Sequence, residues 1–197
     1  MNEETHKVLN RLQRMAEKES LPSIGPVKGK VIEDVIQDYK PGRILEIGTL
    51  YGYSAILMGS MLPEQQGQNQ GKVTTIEIDK EYANIARKNI EDAALDKKVE
   101  VIDGDALDII PKLHEKFDMV FLDGTKEEYF KYLNLVEKNL EKDAVVVADN
   151  VGVFERSMRD YLEYVRNSGR YNSRTLEIEL EFDSNTKDAI EISVKIV

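Results

Sequence analysis

The chain has 197 residues, 41% of them hydrophobic and 32% charged, enough for one α/β domain with a full core and too few for two ordinary ones. It has no cysteine, which excludes disulfides, thiolate metal sites and cysteine nucleophiles. Its formal net charge of -10 gives little long-range attraction to nucleic acid or to an anionic membrane, so a small-molecule substrate is expected.

The first residues, M-N-E-E-T-H-K, lack the basic-then-apolar pattern of a secretory signal, and no apolar run reaches bilayer length. A cytoplasmic location is therefore the expectation. From Glu3 to Glu19 the apolar residues Val8, Leu12, Met15 and Ala16 recur at helical spacing. Leu21-Pro22 ends that helix, and Pro26 opens a second whose apolar face, Val27, Val31, Val35 and Ile36, runs as far as Tyr39.

An alternation of strand and helix follows. Strands are expected at Arg43–Ile47, Val73–Ile78, Val99–Ile102, Phe117–Leu122 and Ala144–Ala148. Helices are expected at Gly52–Leu62, Lys80–Ala94, Ala106–His114, Lys126–Leu140 and Phe154–Ser168. The strands are short, apolar and β-branched throughout, as in a parallel sheet covered on both faces. The polar stretch between Pro63 and Lys72 reads as a solvated insertion. In the tail, Leu176, Ile178, Leu180 and Phe182 alternate with glutamates, a turn is expected at Asp183–Lys187, and Ile190, Ile192, Val194 and Ile196 alternate again. That pattern predicts an antiparallel hairpin closing one sheet edge. The fold class is α/β: a doubly wound, Rossmann-like, mostly parallel seven-stranded sheet, with N-terminal helices and a C-terminal antiparallel hairpin. A single domain spans 1–197, with a helical cap over 1–40 and an α/β core over 41–197.

In such sheets ligands sit beyond the carboxyl ends of the strands, where the winding reverses. The first strand ends R-I-L-E-I-G-T-L-Y-G-Y-S, with Gly48 and Gly52 leading into a helix. That turn brings bare backbone amides up to a ligand. Leu50 stands where the dinucleotide fingerprint needs a glycine, and the Glu46 carboxylate repels a pyrophosphate but suits an ammonium, such as the amino-acid end of S-adenosylmethionine. The second strand ends in Glu77, a carboxylate that suits two ribose hydroxyls; Asp79, directly before Lys80, is the better helix cap. After the third strand comes D-G-D-A, where Asp105 or the Ala106 amide either meets the edge of a flat ring or caps the next helix.

The fourth strand ends F-L-D-G-T-K, with Asp123 at its tip and Lys126 three residues on, and the fifth ends A-D-N-V, with Asp149 and Asn150. If strands one, four and five are neighbours, two carboxylates and an amide converge in a hard-oxygen set suited to Mg²⁺ with positions left open for substrate. The alternative is that Asp149-Asn150 is a turn and Asp123 a helix cap. Lys126 reads either as a surface lysine or, beside a divalent cation that disfavours its ammonium form, as a proton acceptor. His6 and His114 lie in predicted helices away from these tips and read as structural or surface residues.

Together these segments resemble class I S-adenosylmethionine-dependent methyltransferases, specifically the cation-dependent catechol and caffeoyl-CoA O-methyltransferase group. L-E-I-G-T-L-Y-G-Y-S is similar to that family's cofactor turn, T-I-E-I-D to its ribose-binding strand, F-L-D-G-T-K to its metal-and-base segment, A-D-N-V to its second metal segment, and V-K-G-K-V-I to a stretch enclosing cofactor and substrate. The resemblance implies Mg²⁺ or another divalent cation on Asp123, Asp149 and Asn150, with Lys126 as general base. It implies S-adenosylmethionine among Glu46, Gly48, Tyr53, Ser54, Glu77, Asp105, Ala106 and Asp123, leaving as S-adenosylhomocysteine (SAH). Lys28 is implied beside the substrate, as is Glu181, although Glu177, Glu179 and Glu181 share one strand face and an exposed glutamate is the alternative there. The implied activity is methylation of a hydroxyl on a small phenolic substrate by a homodimer. The chain departs from the catechol branch in having Gly124-Thr125 where that branch has His-Trp, and in having no tryptophan, which puts the aromatic ring clamp in question. Rival readings are a transfer-RNA hydroxyuridine methyltransferase of the same wider family and a non-catalytic cofactor-binding module.

Overall fold

Successive residues of a strand point to opposite faces of its sheet, so strands apolar at every position need cover on both sides. That cover exists here. The computed structural model describes residues 1–19, 23–63, 71–180 and 183–197. Among the described residues seven strands, β1 (Arg43–Ile47), β2 (Lys72–Glu77), β3 (Val99–Asp103), β4 (Phe117–Leu122), β5 (Leu140–Ala148), β6 (Tyr171–Leu180) and β7 (Asp183–Lys195), form one sheet in the order β3-β2-β1-β4-β5-β7-β6. The pairings from β3 to β5 are parallel, and β7 runs antiparallel to both β5 and β6.

One face is covered by α2 (Pro26–Tyr39), α3 (Tyr53–Met61) and α4 (Lys80–Asp92), with α1 (Glu3–Glu19) laid on α3 and α4, and contributes Ile44, Met119, Phe121, Val145 and Val147 to that core. The other packs against α5 (Ala106–Ile109), α6 (Tyr129–Val136) and α7 (Arg159–Asn167), through Leu45, Ile47, Val120, Leu122 and Val146. Ile44 and Leu45, or Val145 and Val146, thus belong to different cores although they adjoin in sequence. Tertiary packing does most of the work of holding such short helices.

Local signals set the ends. Pro26 occupies the first turn of α2, and Lys40 closes that helix in a left-handed conformation with its N–H on the Ile36 carbonyl. Asp79 caps α4, its Oδ1 accepting from the amides of Glu81 and Tyr82 at 2.7 and 3.2 Å. Asp118 Oδ2 accepts from the amides of Gly42 and Arg43, each at 2.8 Å, and ties the start of β1 to β4.

Several expected boundaries shift. The helix expected at Ala106–His114 is the four-residue α5 followed by a 3-10 turn over Ile110–Lys112, where Pro111 has no N–H to continue the ladder. The one expected at Lys126–Leu140 begins and ends in 3-10 turns around α6. The one expected from Phe154 starts at Arg159, after a run of turns. β5 begins at Leu140, earlier than expected, and β2 stops at Glu77, leaving Ile78 exposed. The hairpin turn expected at Asp183–Lys187 is corrected: β7 already begins at Asp183, with a register shift between Glu179 and Leu180 accommodating the extra length. Leu21-Pro22, Glu181 and most of the polar stretch after Pro63 lie outside the described residues.

Candidate functional site

The strand order reverses between β1 and β4, and there a cavity of about 800 Å³ opens beyond the carboxyl ends of the parallel strands. Gly48, Tyr53, Ser54, Glu77, Asp105, Ala106, Asp123, Lys126, Asp149, Asn150 and Lys28 all line it. Side chains scattered across the sequence from 28 to 150 share one space because each stands at or just past a strand tip or on a helix beside it.

The glycine turn is shaped by contact. A Cβ on Gly48, whose φ is +97°, would lie 2.5 Å from the Asp123 carbonyl oxygen. That closeness lets the β1 and β4 tips adjoin. Leu50, at the position where a dinucleotide turn has glycine, takes a left-handed φ of 49°. Glu77 fastens the turn: its Oε2 accepts from the amides of Thr49 and Leu50 at 3.0 and 2.8 Å, and its Oε1 from Asp79 at 3.0 Å. Oε2 is filled by its two amides, while Oε1 keeps a second lone pair, so the carboxylate remains able to accept from a hydroxyl in the cavity.

Glu46 is fully buried beneath the turn and is not among the residues lining the cavity. Its Oε2 accepts from Thr75 Oγ1 at 2.5 Å, while its Oε1 has no hydrogen bond of good geometry among the described residues. Burial pushes its carboxyl up to about 8, the hydroxyls of Ser54 and Thr75 opposing this only in part and the carboxylates of Asp123 and Glu77 adding to it. A cationic group placed over the turn fits that orphaned oxygen. Asp105 caps α5, its Oδ1 accepting from the Leu107 amide at 2.8 Å, so the capping role is realised for it while it still faces the cavity.

At the β4 tip, Asp123 Oδ1 accepts from Lys126 Nζ at 2.7 Å, and Lys126 also donates to the Tyr129 hydroxyl at 2.9 Å. Tyr129 is buried at the base of the site and donates to the Leu122 carbonyl at 2.8 Å, which turns its lone pair toward the lysine. Burial drives the Tyr129 phenol well above its ordinary range, so it is a fixed donor and not an acid.

At the β5 tip stands a second cationic centre. Lys28 reaches over from α2, itself 4% exposed, and its Nζ lies 2.8 and 2.9 Å from the two oxygens of Asp149 and 2.9 Å from Asp188 Oδ2. Burial works against the Lys28 charge, and the two carboxylates outweigh it and raise the group above its usual value. For Asp149, burial and then the Asp123 carboxylate prevail over the Lys28 ammonium and push it up to about 6. Asp188, on β7, gains more from Lys28 and backbone amides than burial costs, and is lowered. It accepts also from Asn150 Nδ2 at 2.9 Å and from the amides of Gly152 and Val153 at 3.2 and 3.1 Å.

These donors fit a hard divalent cation. Two carboxylates repel one another at neighbouring strand tips, and the Asn150 nitrogen is committed to Asp188, which leaves the amide oxygen as its acceptor face. Among the described residues no group of three or more His, Cys, Asp or Glu side chains is placed to hold a metal, so this set depends on the amide.

The structure therefore gathers the expected residues, apart from Glu46 beneath the floor and Glu181 outside the described residues. Glu177 and Glu179, on β6, are exposed. Sequence reasoning missed Tyr129, Asp188 and the apolar rim of Val153 and Phe154. Asp188 did carry a signal: it occupies the register position of Ile190, Ile192 and Val194, where the alternation calls for an apolar side chain. Tyr129 carried none beyond lying three residues after Lys126.

A family profile described as O-methyltransferase matches residues 1–192. Catechol O-methyltransferase B of Danio rerio is 36% identical over 179 residues, 87% of this chain. The chain spans just under two thirds of that relative, 65% of its length. Among solved structures, the O-methyltransferase from Bacillus cereus in complex with SAH superposes with a TM-score of 0.82 at 28% identity, covering 99% of this chain and 91% of that one. The O-methyltransferase TomG from Streptomyces achromogenes, involved in tomaymycin synthesis and in complex with SAM, gives 0.84 at 25% identity over 100% and 91%.

Proposed function

We propose that this chain, which belongs to the O-methyltransferase family, moves the methyl group of S-adenosylmethionine (SAM) to a hydroxyl of a small vicinal phenol with the help of a divalent cation. One observation carries the reading: Asp123, Lys126, Asp149 and Asn150 line the same cavity as the glycine turn, Glu77 and Ala106.

The division of labour follows from the chemistry of each group. Glu77 Oε1 is suited to accept from a ribose hydroxyl, and Gly48 lets the β1 tip adjoin Asp123 beside the donor's place. Glu46 offers a buried, unpartnered oxygen beneath the place for the donor's ammonium. Asp123, Asp149 and Asn150 would hold the cation, which when bound supplies positive charge that acidifies a hydroxyl beside it. Lys126 Nζ takes the proton of the reacting hydroxyl, steadied by Tyr129 and Asp123. The oxygen–carbon bond forms as the carbon–sulfur bond breaks, and the electron pair stays on the sulfur of SAH. SAM is already a strong methyl donor, so the protein contributes alignment and electrostatics. Val153 and Phe154, partly exposed at the rim, give an apolar edge for an aromatic ring.

The test is transfer of labelled methyl from SAM to a panel of vicinal phenols, with Mg²⁺ or with EDTA. Product that forms with Mg²⁺ and disappears with EDTA is the expected result; transfer indifferent to chelator overturns the cation, and none to any phenol overturns the substrate class.

A further inference from the structure

A buried ammonium beside the proposed cation site poses a problem. Lys28 touches both oxygens of Asp149, a residue that a divalent cation would also need. Were Asp149 its sole anchor, the ammonium would be an internal rival for the cation, and any cation that won would leave a charge buried without a partner, which costs several kcal/mol. Asp188 resolves this. Its side chain is wholly buried, and it holds Lys28 at 2.9 Å independently of Asp149. With its other contacts it fixes the amide of Asn150 and the backbone of Gly152 and Val153.

The loop is built around that carboxylate. A Cβ on Gly152 would come within 2.8 Å of the backbone of Asp188 and Ala189, so this glycine lets the β5 loop lie against β7. Val151 completes the seam by donating to the Ala189 carbonyl at 2.9 Å. A carboxylate in an apolar register of β7 costs stability unless it is paired and hydrogen-bonded, and Asp188 is held by Lys28, Asn150 and two backbone amides.

We propose that Asp188 is the positioning residue of the divalent-cation site, giving the Lys28 ammonium a second anchor so that Asp149 can turn to the cation, and turning the Asn150 amide so that its oxygen faces the cation. Asp188 acts through those two residues and does not itself touch substrate. The inference rests on the cation reading of the site.

Mn²⁺ affinity, measured by paramagnetic resonance on the whole chain without substrate or turnover, tests it in the wild type, Asp188→Asn and the double variant Asp188→Asn/Lys28→Met. In Asp188→Asn the Mn²⁺ Kd is expected to rise at least tenfold, while the SAH Kd from calorimetry stays within twofold. Removing the rival ammonium in the double variant is expected to recover at least threefold of that loss, leaving it at least threefold weaker than wild type because Asn150 is still unanchored. A folded Asp188→Asn with Mn²⁺ Kd within twofold of wild type overturns the proposal, as does a weakening matched by the same loss of SAH affinity, which would mark a merely structural role. If Asp188→Asn does not fold, the double variant, which removes one buried charge of each sign, decides: a Kd within twofold of wild type overturns the proposal. A wild type that binds no Mn²⁺ fails differently, removing the cation reading itself.

Discussion

Lys126 is held on two sides, by the Asp123 carboxylate and by a tyrosine whose own proton is committed to a backbone carbonyl. Its position is thus set before any substrate arrives, which is what a proton acceptor needs. Lys126→Ala is expected to lower kcat by about 10²–10⁴-fold, with the SAH Kd from calorimetry changed less than twofold. Full turnover in that variant would remove the assignment. Glu46 gives a separate prediction. Its folded carboxyl is raised from 4.5 to about 8, so between those pH values the folded chain binds more protons than the unfolded one. Its contribution to stability is complete below pH 4.5 and is lost as pH rises through 8, in total on the order of a few kcal/mol. Glu46→Gln, which copies the neutral form, should lose less Tm than wild type as unliganded protein is taken from pH 5 to 9. Parallel Tm curves would show that Glu46 is ionised in the empty fold.

At the scale of elements, the crevice opens because α3 after β1 and α6 after β4 pack on opposite faces of the sheet, and Gly48 lets the two strand tips adjoin at its floor. Gly48→Ala is expected to cost about 1–3 kcal/mol by overpacking, seen as a Tm several degrees lower, together with weaker SAH binding. A variant with unchanged Tm would mean that the strand tips can part at no cost. Elements whose signal is local were legible in the sequence: α1 and α2, and the strands Arg43–Ile47 and Phe117–Leu122, have the bounds their apolar patterns predict. The Asp79 cap was legible for the same reason, since a cap needs only its own helix. The strand tips were legible because a parallel sheet turns chain order into spatial order. What was not legible depends on partners distant in sequence. Lys28 meets Asp188 across 160 positions of numbering, and that pairing follows from neither residue's own neighbours. Where helices end was equally hidden: the 3-10 ends of α6 and the late start of α7 answer to packing and not to composition.

For the molecule as a whole, the net charge of -10 bears on the choice of methyl acceptor. Steering and counterion release, which bring proteins to polyanions, both need excess Lys and Arg. With vicinal phenol and bulk transfer RNA offered together at physiological salt, labelled methyl is expected on the phenol alone; label in RNA would favour the hydroxyuridine reading. The sheet order has another outcome. β7 lies between β5 and β6, so β6 has no neighbour in the sheet until the strand that follows it in the chain has emerged. During synthesis the five parallel strands can therefore assemble while β5 is still a raw border, bare of partners along its length. Loss of residues 183–195 would remove two strands and not one, and would turn that temporary border into a permanent seed for clumping.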